Sequence, residues 1–119
     1  MLKRIWPIWV LALVTLGAGC GDIHRSVKYN DLKGVKYYTL RGELDVKDKQ
    51  HGLTPLILAA YYNHYDIAVY LIDQGARINK QDFKGRTALI YAVSYDYHDV
   101  AKLLLDHKAS TIMEDLEGF

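Results

Sequence analysis

Six side chains in this chain of 119 residues have the chemistry of nucleophiles or metal ligands near neutral pH: Cys20, His24, His51, His64, His98 and His107. A lone Cys closes no intramolecular disulfide and builds no Cys-rich zinc module. No two His stand in a ligand spacing such as His-Glu-x-x-His, and no Gly-x-x-x-x-Gly-Lys phosphate loop occurs. The carboxylates read mostly as helix-capping or surface groups, with Asp66 and Asp99 placed for the first turn of a helix, where the dipole favours them. These patterns point away from an enzyme, a metal site or a cofactor. Two kinds of chemistry remain: covalent attachment at Cys20, and non-covalent recognition by the ten Tyr, an unusual number for this length.

Charge narrows the partners. Lys and Arg number 15 and Asp and Glu 14, for a formal charge of +1, so no strongly basic nucleic-acid footprint is present. Half of the residues are apolar, enough for a packed core. The charge is uneven, however: residues 20–49 net +2, from seven bases and five acids, and residues 50–119 net −3, from six bases and nine acids.

Cys20 has a telling context. Lys3 and Arg4 precede an uncharged stretch whose apolar centre covers residues 5–16, followed by Gly17, Ala18 and Gly19. A basic start, a short apolar run and small residues make a secretory signal, and the run is at or below the length of about 17 residues that a transmembrane helix needs. Leu16-Gly17-Ala18-Gly19-Cys20 resembles the lipobox of bacterial lipoproteins, with the Leu one place further from the Cys than usual. That resemblance implies removal of residues 1–19, lipidation of Cys20 as the mature N-terminus, a short tether over residues 20–25, and a stable anchor of several acyl chains. Gly21, rather than Asp, follows the Cys. In that family this implies a periplasm-facing protein of the outer membrane. The alternative is an ordinary secretory signal with an incidental Cys.

The remainder repeats. Gly52-Leu53-Thr54-Pro55-Leu56-Ile57-Leu58-Ala59-Ala60 recurs 33 residues later as Gly85-Arg86-Thr87-Ala88-Leu89-Ile90-Tyr91-Ala92-Val93. Residues 49–81 and 82–114 share 11 identities in 33 positions, where chance gives about two. Thr54 and Thr87 are placed to cap a helix, and Pro55 suits its first position. Asn63 and Asp96 fall where the helix must break, and both tolerate a left-handed backbone. Ile67, Ala68, Leu71 and Ile72 then form one face of a second helix, repeated by Val100, Ala101, Leu104 and Leu105. Gly75 is placed as a C-terminal cap, and its counterpart is Lys108.

A period of 33 with Thr-Pro-Leu and paired Ala resembles the ankyrin repeat. The resemblance implies an all-α solenoid of helix-turn-helix units joined by short β-turn connections. The expected domain covers residues 26–119: a degenerate capping repeat at 26–48, full repeats at 49–81 and 82–114, and the start of a further repeat at 115–119. With no capping repeat after it, the last full repeat is expected to bare a face, whether in a marginal monomer, against a partner or second copy, or because the reading frame is cut short. Self-association through that end is one expectation.

Ankyrin-like proteins grip partners with their turn tips and the concave ends of their first helices. Carried over by position, the binding residues are His51, Phe83, Lys84 and Arg86 at the tips and Tyr29, Tyr61, Tyr62 and Tyr95 on the helices. Tyr gives large contact area at small entropic cost and is enriched in binding hot spots. Tyr37, Tyr70 and Tyr91 stand instead at usual Leu positions and read as core. Ile57 and Ile90 replace the family's His, removing a polar link between loops. The functional expectation is a non-enzymatic protein-binding module in the bacterial envelope, serving as a scaffold or as an immunity or inhibitor protein against a toxin or secreted hydrolase.

Overall fold

The computed structural model describes residues 22–109. Residues 1–19, Cys20 and the turn expected at 115–119 lie outside the described residues. Within them all regular structure is helical: α1 (Ile23–Lys28), α2 (Leu32–Leu40), α3 (Pro55–Tyr61), α4 (Tyr65–Asp73), α5 (Ala88–Ser94) and α6 (His98–Asp106). They form three antiparallel pairs stacked side by side. The first helices make one layer, α1 against α3 against α5, and the second helices make the other, α2 against α4 against α6.

Each pair is built by the same local devices. Thr54 and Thr87 accept hydrogen bonds from the N–H groups of Ile57 and Ile90, 3.1 and 3.3 Å away, which satisfies a donor the helix start leaves open. Pro55 occupies the first turn of α3. Asn30, Asn63 and Asp96 take φ of 59, 60 and 65°, reversing the chain between the two helices of each pair. Gly42 and Gly75 follow the second helices at φ 88 and 93°. At the third such place Lys108 adopts φ 68°, a conformation that a side chain disfavours by about 1–2 kcal/mol.

Two features differ from expectation. The array begins earlier than residue 26: Asp22 caps α1 by accepting from the Arg25 N–H at 2.9 Å, and Ile23 is fully buried. Residues 22–25, expected in the tether, therefore belong to the first repeat. Tyr37 is not core. It stands exposed beside Arg41 and packs edge-on to Tyr38. Tyr70 is half-buried, with its hydroxyl 3.0 Å from Thr39 Oγ1 in the preceding pair.

The core lies between the layers. Ile57, Ile67, Leu71, Val100 and Leu104 have essentially no exposed surface, and the small Ala59, Ala60, Ala88 and Ala92 let first helices approach closely. Backbone contacts tie successive pairs together: the Phe83 N–H donates to the His51 carbonyl at 3.0 Å, and the Arg77 N–H to an Asp45 carboxylate oxygen at 3.0 Å. Equivalent positions fare differently along the stack. Ala60 and Ile72 are covered by the next pair, whereas their counterparts Val93 and Leu105 are 62% and 46% exposed among the described residues.

Urea unfolding checks the two capping devices. Thr54→Ala is expected to lose about 1 kcal/mol. Lys108→Gly is expected to gain about 1 kcal/mol, because glycine takes the left-handed conformation without a Cβ clash.

Candidate functional site

A groove of about 710 Å³ runs along the first-helix layer under the loop tips. Its lining contains all eight residues expected to bind: Tyr29, His51, Tyr61, Tyr62, Phe83, Lys84, Arg86 and Tyr95. Ser94, at an equivalent helix position, is not part of it.

The helix side is aromatic. Tyr61 is the hub, with its ring 4.9 Å from Tyr62, 5.6 Å from Tyr91 and 5.4 Å from Tyr95, each packed edge to face. Such geometry sets the positive edge of one ring against the negative face of another and fixes the rings without covering them. Tyr95 and Tyr29 are 47% and 62% exposed, so both present surface to an occupant. Tyr62 is half-buried against the core and also stacks on His64. The neighbouring Tyr61 hydroxyl, and then burial, push the Tyr95 phenol above its ordinary range.

The loop side is built on two aspartates that the sequence analysis did not single out. Asp48 Oδ1 accepts from the N–H groups of His51, Gly52 and Leu53 at 2.8, 2.7 and 3.2 Å. Asp82 Oδ1 accepts from the N–H groups of Lys84 and Arg86, both at 2.9 Å, and its Oδ2 takes the Tyr91 hydroxyl. Both carboxylates are thus turned into their own loops, and the tips project from a braced turn. Asp82 is buried, at 5% exposure, and that burial is compensated by these donors.

Three further placements escaped the sequence analysis. Tyr91, read as core, is half-buried and lines the groove, and its phenol is pushed well up by burial and then by the Asp82 bond. Its counterpart 33 residues earlier, Leu58, also lines the groove, and that equivalence to a Leu is what made Tyr91 read as core. Phe83, read only as a tip, lies over Gly52, whose φ is 72° and where a Cβ would collide with the ring. His24 stands 33 residues before Ile57, at the place of the family's His, and its Nε2 lies 2.7 Å from the Val46 carbonyl. The polar link absent at Ile57 and Ile90 is therefore kept in the first repeat. His64 Nε2 similarly lies 3.2 Å from the Lys28 carbonyl and joins two repeats.

Among the described residues no three His, Cys, Asp or Glu side chains gather in a way that holds a metal ion, and no helix is long and apolar enough to cross a membrane.

Two measurements check the loop bracing. Burial pushes the Asp48 carboxyl up, but the three backbone donors outweigh it and, with His24 nearby, hold it below its usual value. A depressed carboxylate stabilises the fold above the unfolded-state pKa and loses that contribution as pH falls through the folded value. Asp48→Asn should therefore flatten the loss of stability below about pH 4, followed by thermal melts against pH. Tyr91→Phe removes a hydrogen bond to a buried carboxylate and should cost about 2 kcal/mol in urea unfolding.

Comparison with known proteins fits this geometry. The chain is 39% identical over 59 residues to an ankyrin repeat protein of fowlpox virus, covering 50% of the chain and 10% of that protein. It is 38% identical over 61 residues to the palmitoyltransferase akr1 of Neurospora crassa, covering 50% and 8%, and 40% identical over 69 residues to alpha-latrotoxin-Lh1a of Latrodectus hasselti, covering 56% and 5%. The chain spans a tenth or less of each of these relatives, so what it shares with them is the repeat. The family model for ankyrin repeats, in three copies, matches residues 23–115, and the chain belongs to the ankyrin-repeat family, a family of protein–protein interaction modules.

Proposed function

We propose that this protein is exported to the bacterial envelope, anchored there by a lipid on Cys20, and recognises a protein partner through the tyrosine-lined groove. The observation that carries the binding reading is the convergence of Tyr29, Tyr61, Tyr62 and Tyr95 with His51, Phe83, Lys84 and Arg86 on one concavity. Rigid rings fixed edge to face lose little entropy on binding, and a braced loop has little left to order.

The anchor rests on the order of residues 1–20. It gains a structural corollary from the early start of α1. Asp22 already caps that helix, so Gly21 alone separates Cys20 from the folded repeat. With Cys20 lipidated, the first repeat lies close to the headgroups. Outer-membrane residence, facing the periplasm, is the reading favoured by Gly21 in the place where Asp would retain a lipoprotein at the inner membrane.

Affinity capture from envelope extract tests the groove. Tyr29→Ala combined with Tyr95→Ala removes two exposed rings and leaves the core intact, unlike a change at the half-buried Tyr62. It should weaken capture by about 2 kcal/mol or more with an unchanged thermal melt; undiminished capture places the interface elsewhere. Membrane fractionation tests the anchor. Cys20→Ala should release the protein or leave it unprocessed, and unaltered membrane association would refute lipidation.

A further inference from the structure

We infer that the groove takes an extended acidic segment of its partner, with carboxylates at two separated places and an apolar or aromatic side chain between them. This rests on the groove being the protein-binding site and adds the chemistry of the occupant.

Charge decides the class. Arg25, Lys28, Lys84 and Arg86 line the groove, and the acids in its lining are Asp48 and Asp82. Those two are turned into their loops by five backbone N–H bonds and the Tyr91 hydroxyl, so their oxygens are engaged there, and the lining sets four cations against two carboxylates. Arg25, Lys28 and Lys84 are exposed, and none is ion-paired among the described residues. Arg25 and Lys28 are held over the Tyr29 ring, 5.2 and 5.5 Å from its centre. A cation held by a ring face keeps its charge for an incoming anion. The opposite sign is placed elsewhere: Asp66, Asp73, Asp99 and Asp106 are exposed on α4 and α6, in the layer away from the groove. The same layer also exposes Lys33 and Lys36 on α2 and Lys102 on α6, so an anionic segment is repelled most strongly along α4.

Spacing gives the register. Arg25 and Lys28 belong to the first pair and Lys84 to the loop that opens the third, two repeat steps away. Packed helices lie about 8–10 Å apart, so the two cationic places are about 16–20 Å apart along the stack. An extended chain covers that in about five or six residues at roughly 3.3 Å each. Between them, on α3 of the middle pair, lie Leu58 and Tyr61, and Tyr61 packs against Tyr91 and Tyr95 of the third, a floor for one large apolar side chain.

The same features disfavour a single-stranded nucleic acid, the other polymer that combines charge with ring contacts. Bases need open ring faces, whereas Tyr61 meets three rings edge to face and the Tyr29 face is taken by two cations.

The test is selection of a displayed random peptide library on the purified full chain, followed by titration of the best peptide, its Lys-for-acid twin, oligothymidylate and phosphatidylglycerol vesicles. Enriched peptides should carry Asp or Glu on both sides of an aromatic or aliphatic residue. The twin should bind about tenfold or more weakly. Lys28→Glu with Lys84→Glu, at unchanged helix content, should turn the preference toward basic peptides. Enrichment of neutral or basic peptides that is lost on Tyr29→Ala with Tyr95→Ala overturns the acidic assignment and leaves the groove as the protein-binding site. No peptide enrichment, or tighter binding of the oligonucleotide or the vesicles than of any peptide, overturns both.

Discussion

Every repeat in this chain turns on backbone positions held in the left-handed region. Asn30, Asn63 and Asp96 reverse the chain between the two helices of each pair, at φ 59 to 65°. Gly42, Gly75 and Lys108 end the second helices, and Gly52 and Gly85 set the loop tips. Among the described residues none of the helices exceeds nine residues, too few to be stable alone in water. Their existence depends on burying one face against a neighbour, and the neighbour is placed only if the turn is sharp and the same each time. A uniform turn gives a uniform stacking vector, so core positions such as Ile67 with Val100 and Leu71 with Leu104 recur at equivalent depth.

The groove follows from that stacking. First helices carry small residues at their contacts, Ala59, Ala60 and Ala92, while the loops project beyond them, so a concavity forms between the helix layer and the tips. The rings on its helix wall are then set largely by two positions per repeat, occupied by Lys28 and Tyr29, Tyr61 and Tyr62, and Ser94 and Tyr95, of which Ser94 does not line the groove. The middle repeat supplies both rings, which is why Tyr61 becomes the hub. On the other wall the Phe83 N–H reaches the His51 carbonyl, so one loop positions the next.

Much of this was legible in the sequence because repetition samples each position more than once. The Thr caps, the left-handed Asn63 and Asp96 and the second-helix face follow from aligning residues 49–81 with 82–114, whereas the eight expected binding residues came from the resemblance to the ankyrin repeat. The degenerate repeat was harder. Its start was placed at residue 26, although Ile23 aligns with Leu56 and His24 with Ile57. The absence of the Thr-Pro pair removed the signal that marks a helix start, and Asp22 took over the capping. The reading of Tyr37 failed for a physical reason: a Tyr at a Leu position can turn its ring outward, where Arg41 and Tyr38 receive it. The roles of Asp48 and Asp82 were hidden because they sit one residue out of register. Asp48 aligns with Gln81 and Asp82 with Lys49, so no repeat comparison pairs them.

That offset has a consequence for charge. The chain carries nearly equal numbers of acids and bases, and composition alone gives the groove no sign. The loops create one. A carboxylate that accepts several backbone N–H bonds is spent on local structure, and the groove contains two of these. Lys84 on the same wall has no equivalent use, because a backbone turn offers its N–H groups inward and a lysine has no acceptor to give them. The loop braced by the inward Asp82 therefore leaves Lys84 facing out. The sign of the groove is thus set partly by how the turn is held together and partly by Arg25 and Lys28 on α1, and it does not follow from the net charge of the protein.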